Sequence, residues 1–269
     1  MGQKQALKTI TKKRIEIKDI FRILWISFAL AKTRIKVKTS QTGLGYFWYF
    51  AAPLGFFGVL YTVFHNNLGS GITEYPLYLL CGIIYFNFFR FVTTESTYAF
   101  TSNESTIKSY YFPKSALIIA IVLEGLLLHI IEIIFMITIL SFFKTPHINL
   151  FLYPLILLPY TAFILGTGLL LATTTVFIRD IHYLWQYTLS ALWIITPIFY
   201  SKSNLDSIFI LKFNPLDIFI QQFRDLMITS TSNTINIIPY AITLGIGIIT
   251  LYVGIKVYVI LSPKIIHKI

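Results

Sequence analysis

Arg90, Glu124, His129 and Glu132 are ionisable side chains that fall within long apolar stretches of this chain. Charges are costly in hydrocarbon, so such groups should face a helix-bundle interior or water. Two kinds of chemistry are open to them. One is a buried hydrogen-bonded network that fixes or gates helix packing. The other is a polar patch on a translocation path, or a proton relay through Glu124 and Glu132. His129 and Glu132 lie one turn apart and can pair with each other.

Aromatic rings are the second chemical resource. The chain carries 24 Phe, 17 Tyr and 4 Trp. Tyr46, Phe47, Trp48, Tyr49 and Phe50 follow one another where an apolar stretch begins. Some of these rings should anchor at lipid headgroups. Others, sharing one face, can line a conduit. Sugars present apolar C–H faces that stack on aromatic rings, so such a conduit suits a glycan better than an ion. Tyr46, Trp48, Tyr49, Arg90 and Glu124 are therefore the candidate path residues.

Other chemistries lack their residues. There is no G-x-x-x-x-G-K-[ST] phosphate loop, no H-E-x-x-H and no paired Cys/His metal spacing. Gly43-Leu44-Gly45 lacks the third glycine and the ribose-binding acid of a dinucleotide fingerprint. The only cysteine, Cys81, can form neither a disulfide nor a thiolate metal site within one chain. No catalytic set, metal site or cofactor site is expected in this chain.

The elements that must position these residues are membrane helices. The 269 residues are 56% hydrophobic and only 12% charged, with a mean hydropathy of +0.73. A soluble domain of this size needs far more polar surface. The net charge of +11 does not point to nucleic acid, because the basic residues gather before the first apolar span and near cytosolic ends. Ile23–Ala31 ends Ala-Leu-Ala, like a signal-peptide core. Asp19 and Arg22 interrupt that run, and Glu16 lies in its basic flank, so cleavage is not expected.

Residues 1–39 are read as a cytosolic basic segment, and 40–269 as a six-span membrane domain. In the first, Ile17, Ile20, Phe21, Leu24, Phe28 and Ala31 recur at helical spacing, which predicts an amphipathic helix at the inner membrane surface. Lys32, Arg34, Lys36 and Lys38 alternate in a strand-like way, but an isolated strand has no partner there, so helix or irregular chain is expected. The spans are read as 46–64, 76–94, 115–142, 149–177, 183–200 and 234–261. Residues 95–114 and the turn 178–182 are read as cytosolic. The pieces between 201 and 233 are too short and too charged to cross, which suggests external interfacial or re-entrant half-helices. The Lys and Arg bias then places both termini in the cytosol. The fold class is all-α integral membrane.

Thr42-Gly-Leu-Gly-Tyr-Phe-Trp-Tyr-Phe-Ala-Ala-Pro-Leu54, preceded by the basic helix, resembles the signature that opens type-2 ABC exporter permeases of the polysaccharide, O-antigen and teichoic-acid group. Tyr111-Phe112-Pro113-Lys114, Glu124, Val176-Phe177-Ile178-Arg179-Asp180, Thr196-Pro197-Ile198-Phe199-Tyr200, Asn214-Pro215-Leu216 and Arg224 match in the same order. The Lys32–Lys38 run is more basic than the pattern, and the loop over 65–75 is short. The resemblance implies a homodimer joined to two separate ATP-binding subunits, which hold the ATP and Mg. It implies a coupling helix within 103–111, with Glu104, Ser105, Ile107, Lys108, Tyr110 and Tyr111 docking into the ATPase. It also implies a lipid-linked glycan as cargo, moved outward across the cytoplasmic membrane. Arg34, Lys36 and Lys38 are then placed to attract a lipid diphosphate, or simply to hold anionic lipid. Export of a drug, lipid or other small hydrophobic molecule is the alternative on the same fold. A polyprenyl-linked sugar transferase would need clustered loop acids, where only Asp206, Asp217 and Asp225 are scattered. A proton-coupled carrier would use Glu124 and Glu132.

Overall fold

The computed structural model describes residues 17–40, 43, 47–65, 69, 71–72, 74–110, 112–143, 151–201, 214–228 and 236–269. Tyr46, Tyr111, Asp206 and the basic residues from Lys4 to Arg14 lie outside the described residues, as do the side chains of Tyr49 and Phe50. All regular structure among the described residues is helical.

The first helix, α1 (Ile17–Ser40), carries Asp19 in its first turn and Lys38 in its last, each matching the helix dipole. It runs through the whole Lys32–Lys38 segment, so the alternation there belongs to a helix. Its protein-facing side is made of small residues, Ser27 and Ala31, which lie fully buried. Phe21, Trp25 and Phe28 point away from the protein. That division suits a helix lying on a membrane surface with its rings in the interfacial layer. Helix α2 (Phe47–Phe64) follows, with Pro53 inside it.

Helix α3 (Tyr75–Tyr98) is the most enclosed element. From Leu79 to Phe86 every residue is buried, because α3 packs against α2, α5, α6, α7 and α8. Pro76 sits in its first turn, where a missing N–H costs nothing. The helix runs one turn past Thr94, so Glu95 is helical rather than the start of a loop. A single short helix, α4 (Glu104–Ser109), interrupts the connection to α5 (Ser115–Phe143). Lys114 ties the start of α5 to the far end of the chain by donating to the Ser262 carbonyl at 3.0 Å. Burial there lowers the pKa of its amine.

Helix α6 (Tyr153–Phe177) has Pro159 within it and is followed by α7 (Ile181–Ile195), α8 (Pro215–Met227) and α9 (Ile237–Lys268). The α6–α9 contact is backbone on backbone. A Cβ on Gly254 would collide with the Gly166 carbonyl, and one on Gly247 would lie 2.5 Å from the Pro159 oxygen. Small residues at seven-residue spacing let the two helices meet this closely. The outer face of α9, with Ile248, Ile249, Tyr252 and Val259, stays exposed.

Among the described residues, four helices are long and apolar enough to cross a membrane: 75–98, 115–138, 153–177 and 237–268. Two further apolar helices stand where spans were expected. One is α2, whose stretch Ala51–Phe64 is shorter. The other is α7, with only 15 residues. The fifth span read as 183–200 therefore ends early as a helix. The cause is Pro197, which disfavours helical geometry at the preceding Thr196; that residue is extended, at φ −78° and ψ 129°. At the other end of the chain, α9 continues through Pro263 to Lys268, beyond the limit of 261 read from hydropathy.

Candidate functional site

Three polar clusters lie among the packed helices. The first joins the surface helix to the bundle. Arg34 donates from Nε to Glu124 Oε2 at 2.6 Å and from Nη2 to Glu95 Oε2 at 2.5 Å. Lys38 Nζ completes the square, 2.9 Å from Glu124 Oε1 and 3.3 Å from Glu95 Oε1. Lys38 also sits over the Phe91 ring, 4.7 Å from its centre. The Glu124 side chain is fully buried, so it requires both cations. Burial by itself would lower the Arg34 pKa, but Glu124 and Glu95 outweigh it and the net shift is upward. Helix propensity sets this geometry: Arg34 and Lys38 are four residues apart and share one face of α1. Lys36 lies on another face and is exposed.

The second cluster closes the end of the bundle where α7 stops and α8 begins. Asn214 caps α8 by accepting from Leu216 N at 3.0 Å, while its amide donates to Thr196 Oγ1 at 2.8 Å. Arg224, on the inner face of α8, is buried. Its guanidinium donates to the carbonyls of Tyr78, Pro197 and Ile198 at 3.1, 2.8 and 3.0 Å. It also stacks 3.4 Å from the centre of the Tyr78 ring. The Pro197 and Ile198 carbonyls can accept because the helix ends before Pro197. Tyr75 and Tyr78 donate to carbonyls of the same segment, at Phe199 and Tyr200. Gly82 is needed beside it, since a Cβ there would lie 2.7 Å from Arg224 Nη2. Three motifs far apart in sequence, around Pro197, Asn214 and Arg224, thus form one knot.

The third feature is a cavity of about 940 Å³ between α2, α3, α5 and α7. Trp48, Pro53 and Phe56 line it from α2, and Leu189, Ser190, Trp193 and Gln186 from α7. Phe86, Asn87, Phe88, Arg90, Phe91, Thr94 and Glu95 contribute from α3, and Gly125, Leu128, His129 and Glu132 from α5. Its rings pack on one another: Trp193 lies 4.9 Å from Phe86 and 5.3 Å from Phe56. His129 is fixed at its back by a 2.5 Å contact from Nε2 to the Tyr153 hydroxyl.

Of the path residues named from sequence, Trp48 and Arg90 line this cavity. Glu124 does not; it lies one residue from the lining Gly125 and is taken up by Arg34 and Lys38. Glu132, read from sequence as an ionisable group facing the bundle interior or water, lines the cavity as well, whereas Asn87, Gln186 and Ser190 were not singled out. Their neutral amides and hydroxyl look ordinary in sequence, and only the convergence of α3, α5 and α7 brings them together. Glu95 was assigned to a loop, yet it anchors Arg34 and Lys38. Its one sequence signal is a carboxylate immediately after an apolar span.

At the opposite end, α4 presents a divided surface. Ile107 is buried and Tyr110 is exposed. Lys108 and Glu104 pair with each other at 2.6 Å on the solvent side, and Ser105 is exposed. Beside α4, His182 contacts the Tyr98 hydroxyl and Gln186. A smaller cavity of about 370 Å³ joins Tyr98, Glu104, Arg179 and Lys268. Among the described residues no group of three or more His, Cys, Asp or Glu could hold a metal ion.

Residues 27–228 match the family model described as ABC-2 type transporter. An O-antigen export system permease protein RfbA of Klebsiella pneumoniae is 28% identical over 232 residues, covering 83% of this chain and 87% of that protein. A second protein of the same name and organism is 27% identical over 228 residues, with the same coverage. One from Myxococcus xanthus is 19% identical over 190 residues, covering 70% of this chain and 73% of its own.

Proposed function

Because the chain belongs to the ABC-2 type transporter family, we propose that it is the membrane subunit of an ATP-driven exporter that moves a lipid-linked cell-surface polysaccharide outward. The cargo class is an O-antigen, a teichoic acid or a similar glycan. The permease pairs with a second copy of itself and with two ATP-binding subunits, which bind ATP and Mg. It spans the cytoplasmic membrane with both termini in the cytosol.

The observation that carries this reading is the cavity between α2, α3, α5 and α7. Its aromatic rings and its polar groups Asn87, Arg90, Glu132 and Gln186 suit an amphipathic, hydroxyl-rich chain better than a small hydrophobic molecule. The similarity to O-antigen permeases over most of both chains supports the same cargo class. A proton relay through Glu124 fits less well, because that carboxylate is held by Arg34 and Lys38. Energy arrives through α4: its exposed Glu104, Ser105, Lys108 and Tyr110 dock on the ATPase, and its buried Ile107 passes the movement to the bundle.

The test is reconstitution. Permease and partner ATPase are placed together in vesicles and supplied with a polyprenyl-diphosphate-linked glycan. ATP-dependent appearance of glycan on the far face is the expected result. A permease that transports with a proton gradient alone, or whose complex moves only small hydrophobic molecules, overturns it.

A further inference from the structure

Arg90 and Glu132 stand on the α3 and α5 walls of the 940 Å³ cavity and attract each other, yet they do not close into an ion pair. Among the described residues Glu132 is paired only with His129, Nδ1 to Oε2 at 3.9 Å. The Arg90 guanidinium and the Asn87 amide, one turn apart on α3, donate no hydrogen bond among the described residues. Arg90 is exposed where it lines the cavity, and a guanidinium and carboxylate left apart within membrane-spanning helices are costly. They are tolerable where a ligand completes their hydrogen bonds.

We infer that Arg90, Glu132 and Asn87 form a clasp for the hydroxyl groups of a neutral sugar ring, whose faces rest on Trp48, Trp193 and Phe86. This inference rests on the glycan-export reading and adds the chemistry of the unit recognised. Arg90 and Glu132 together are formally neutral. A hydroxyl both donates and accepts, so it satisfies a guanidinium and a carboxylate at once. An acidic sugar would gain from Arg90 but would meet the Glu132 carboxylate. The His129–Tyr153 contact holds the wall behind Glu132.

The permease–ATPase complex in nanodiscs is titrated with mannohexaose, a neutral hexasaccharide, and separately with hexagalacturonate, an acidic one. The emission of Trp48 and Trp193, which line the cavity, is the readout. Saturable binding of mannohexaose is expected, with weaker binding of the acid. Arg90→Gln and Glu132→Gln should each weaken mannohexaose binding about tenfold, the scale of one hydrogen bond to a charged group. Thermal unfolding of each variant shows whether it is folded. In a variant that does not fold, Asn87→Ala replaces it and should weaken binding in the same sense. Absence of saturable mannohexaose binding overturns the inference, as does tighter binding of the acid accompanied by a gain in Glu132→Gln. Transport of lipid-linked glycan by the wild-type complex is measured in parallel. If none moves, the glycan-export reading itself fails; if it moves and the variants bind and export as wild type does, only the clasp is lost.

Discussion

Arg34 Nε lies 2.6 Å from Glu124 Oε2, linking α1 to a carboxylate fully buried on α5. The contact lets a long basic helix sit against an apolar bundle without leaving a charge alone. It also makes α1 a lever on α5, since moving one must move the other or break the pair.

Replacing Glu124 by Gln should leave Arg34 and Lys38 short of one counter-charge. Removing one member of a buried pair costs about 3–5 kcal/mol. Arg34 and Lys38 keep 24% and 33% of their side chains exposed, so water should cut the loss to about 2 kcal/mol. Thermal unfolding in nanodiscs measures it, and protease cleavage within α1 should rise. An unchanged melting temperature together with unchanged cleavage would show that α1 is held by other contacts.

Arg224→Lys should destabilise the bundle by about 3 kcal/mol despite keeping the charge. An ammonium cannot reach three carbonyls in the plane that the guanidinium spans. The expected signs are low yield of folded protein and exposure of the 196–201 segment to protease. Wild-type stability in this variant would remove Arg224 from its role as the tie between α7, α8 and α3.

Gly254→Val should disrupt α6–α9 packing, because its Cβ meets the Gly166 backbone. Overpacking of this kind costs about 1–3 kcal/mol, and a backbone neighbour yields little. Gly245→Val is the control, since nothing lies within 4 Å of a Cβ there. Equal melting temperatures for the two variants would contradict the close helix contact.

Two substitutions on α4 should separate folding from coupling. Ile107→Asp buries a charge and should lower the melting temperature. Tyr110→Asp lies on the exposed side, at 71% exposure. It should leave the melting temperature unchanged while reducing substrate-stimulated ATP hydrolysis in the complex about tenfold, the effect of losing a central aromatic contact at an interface. Full coupling in Tyr110→Asp would move the ATPase contact away from α4.

Membrane orientation can be read with a single thiol. Cys81 is fully buried and should not react with an impermeant maleimide, so Lys268→Cys supplies the probe without removing it. Labelling should occur from the cytosolic side and not from outside. Labelling from outside alone would invert the layout.

Much of this molecule was legible in one dimension. Lipid imposes helices on long apolar runs, so α3, α5, α6 and α9 were visible as long apolar stretches. The surface helix showed in the spacing of Ile20, Phe21, Leu24 and Phe28 beside Lys and Arg. Pro197 was read inside the span 183–200, yet the helix before it ended sooner than hydropathy suggested. Hydropathy averages over a window and does not see that one proline frees carbonyls for a distant arginine.

What the line of residues left open was partnership across the bundle. Glu124 and Arg34 were each a charge in search of an explanation, and each was assigned a separate task from its own neighbourhood. Only packing of α1 on α5 made them one pair and added Glu95 to it. Likewise Asn87 and Gln186 are unremarkable among their sequence neighbours, and they meet Glu132 only where α3, α5 and α7 converge on a cavity. The reason is physical. Burial in lipid depends on local composition, which a sequence carries residue by residue, whereas a counter-ion or a cavity wall comes from whichever helix folds alongside.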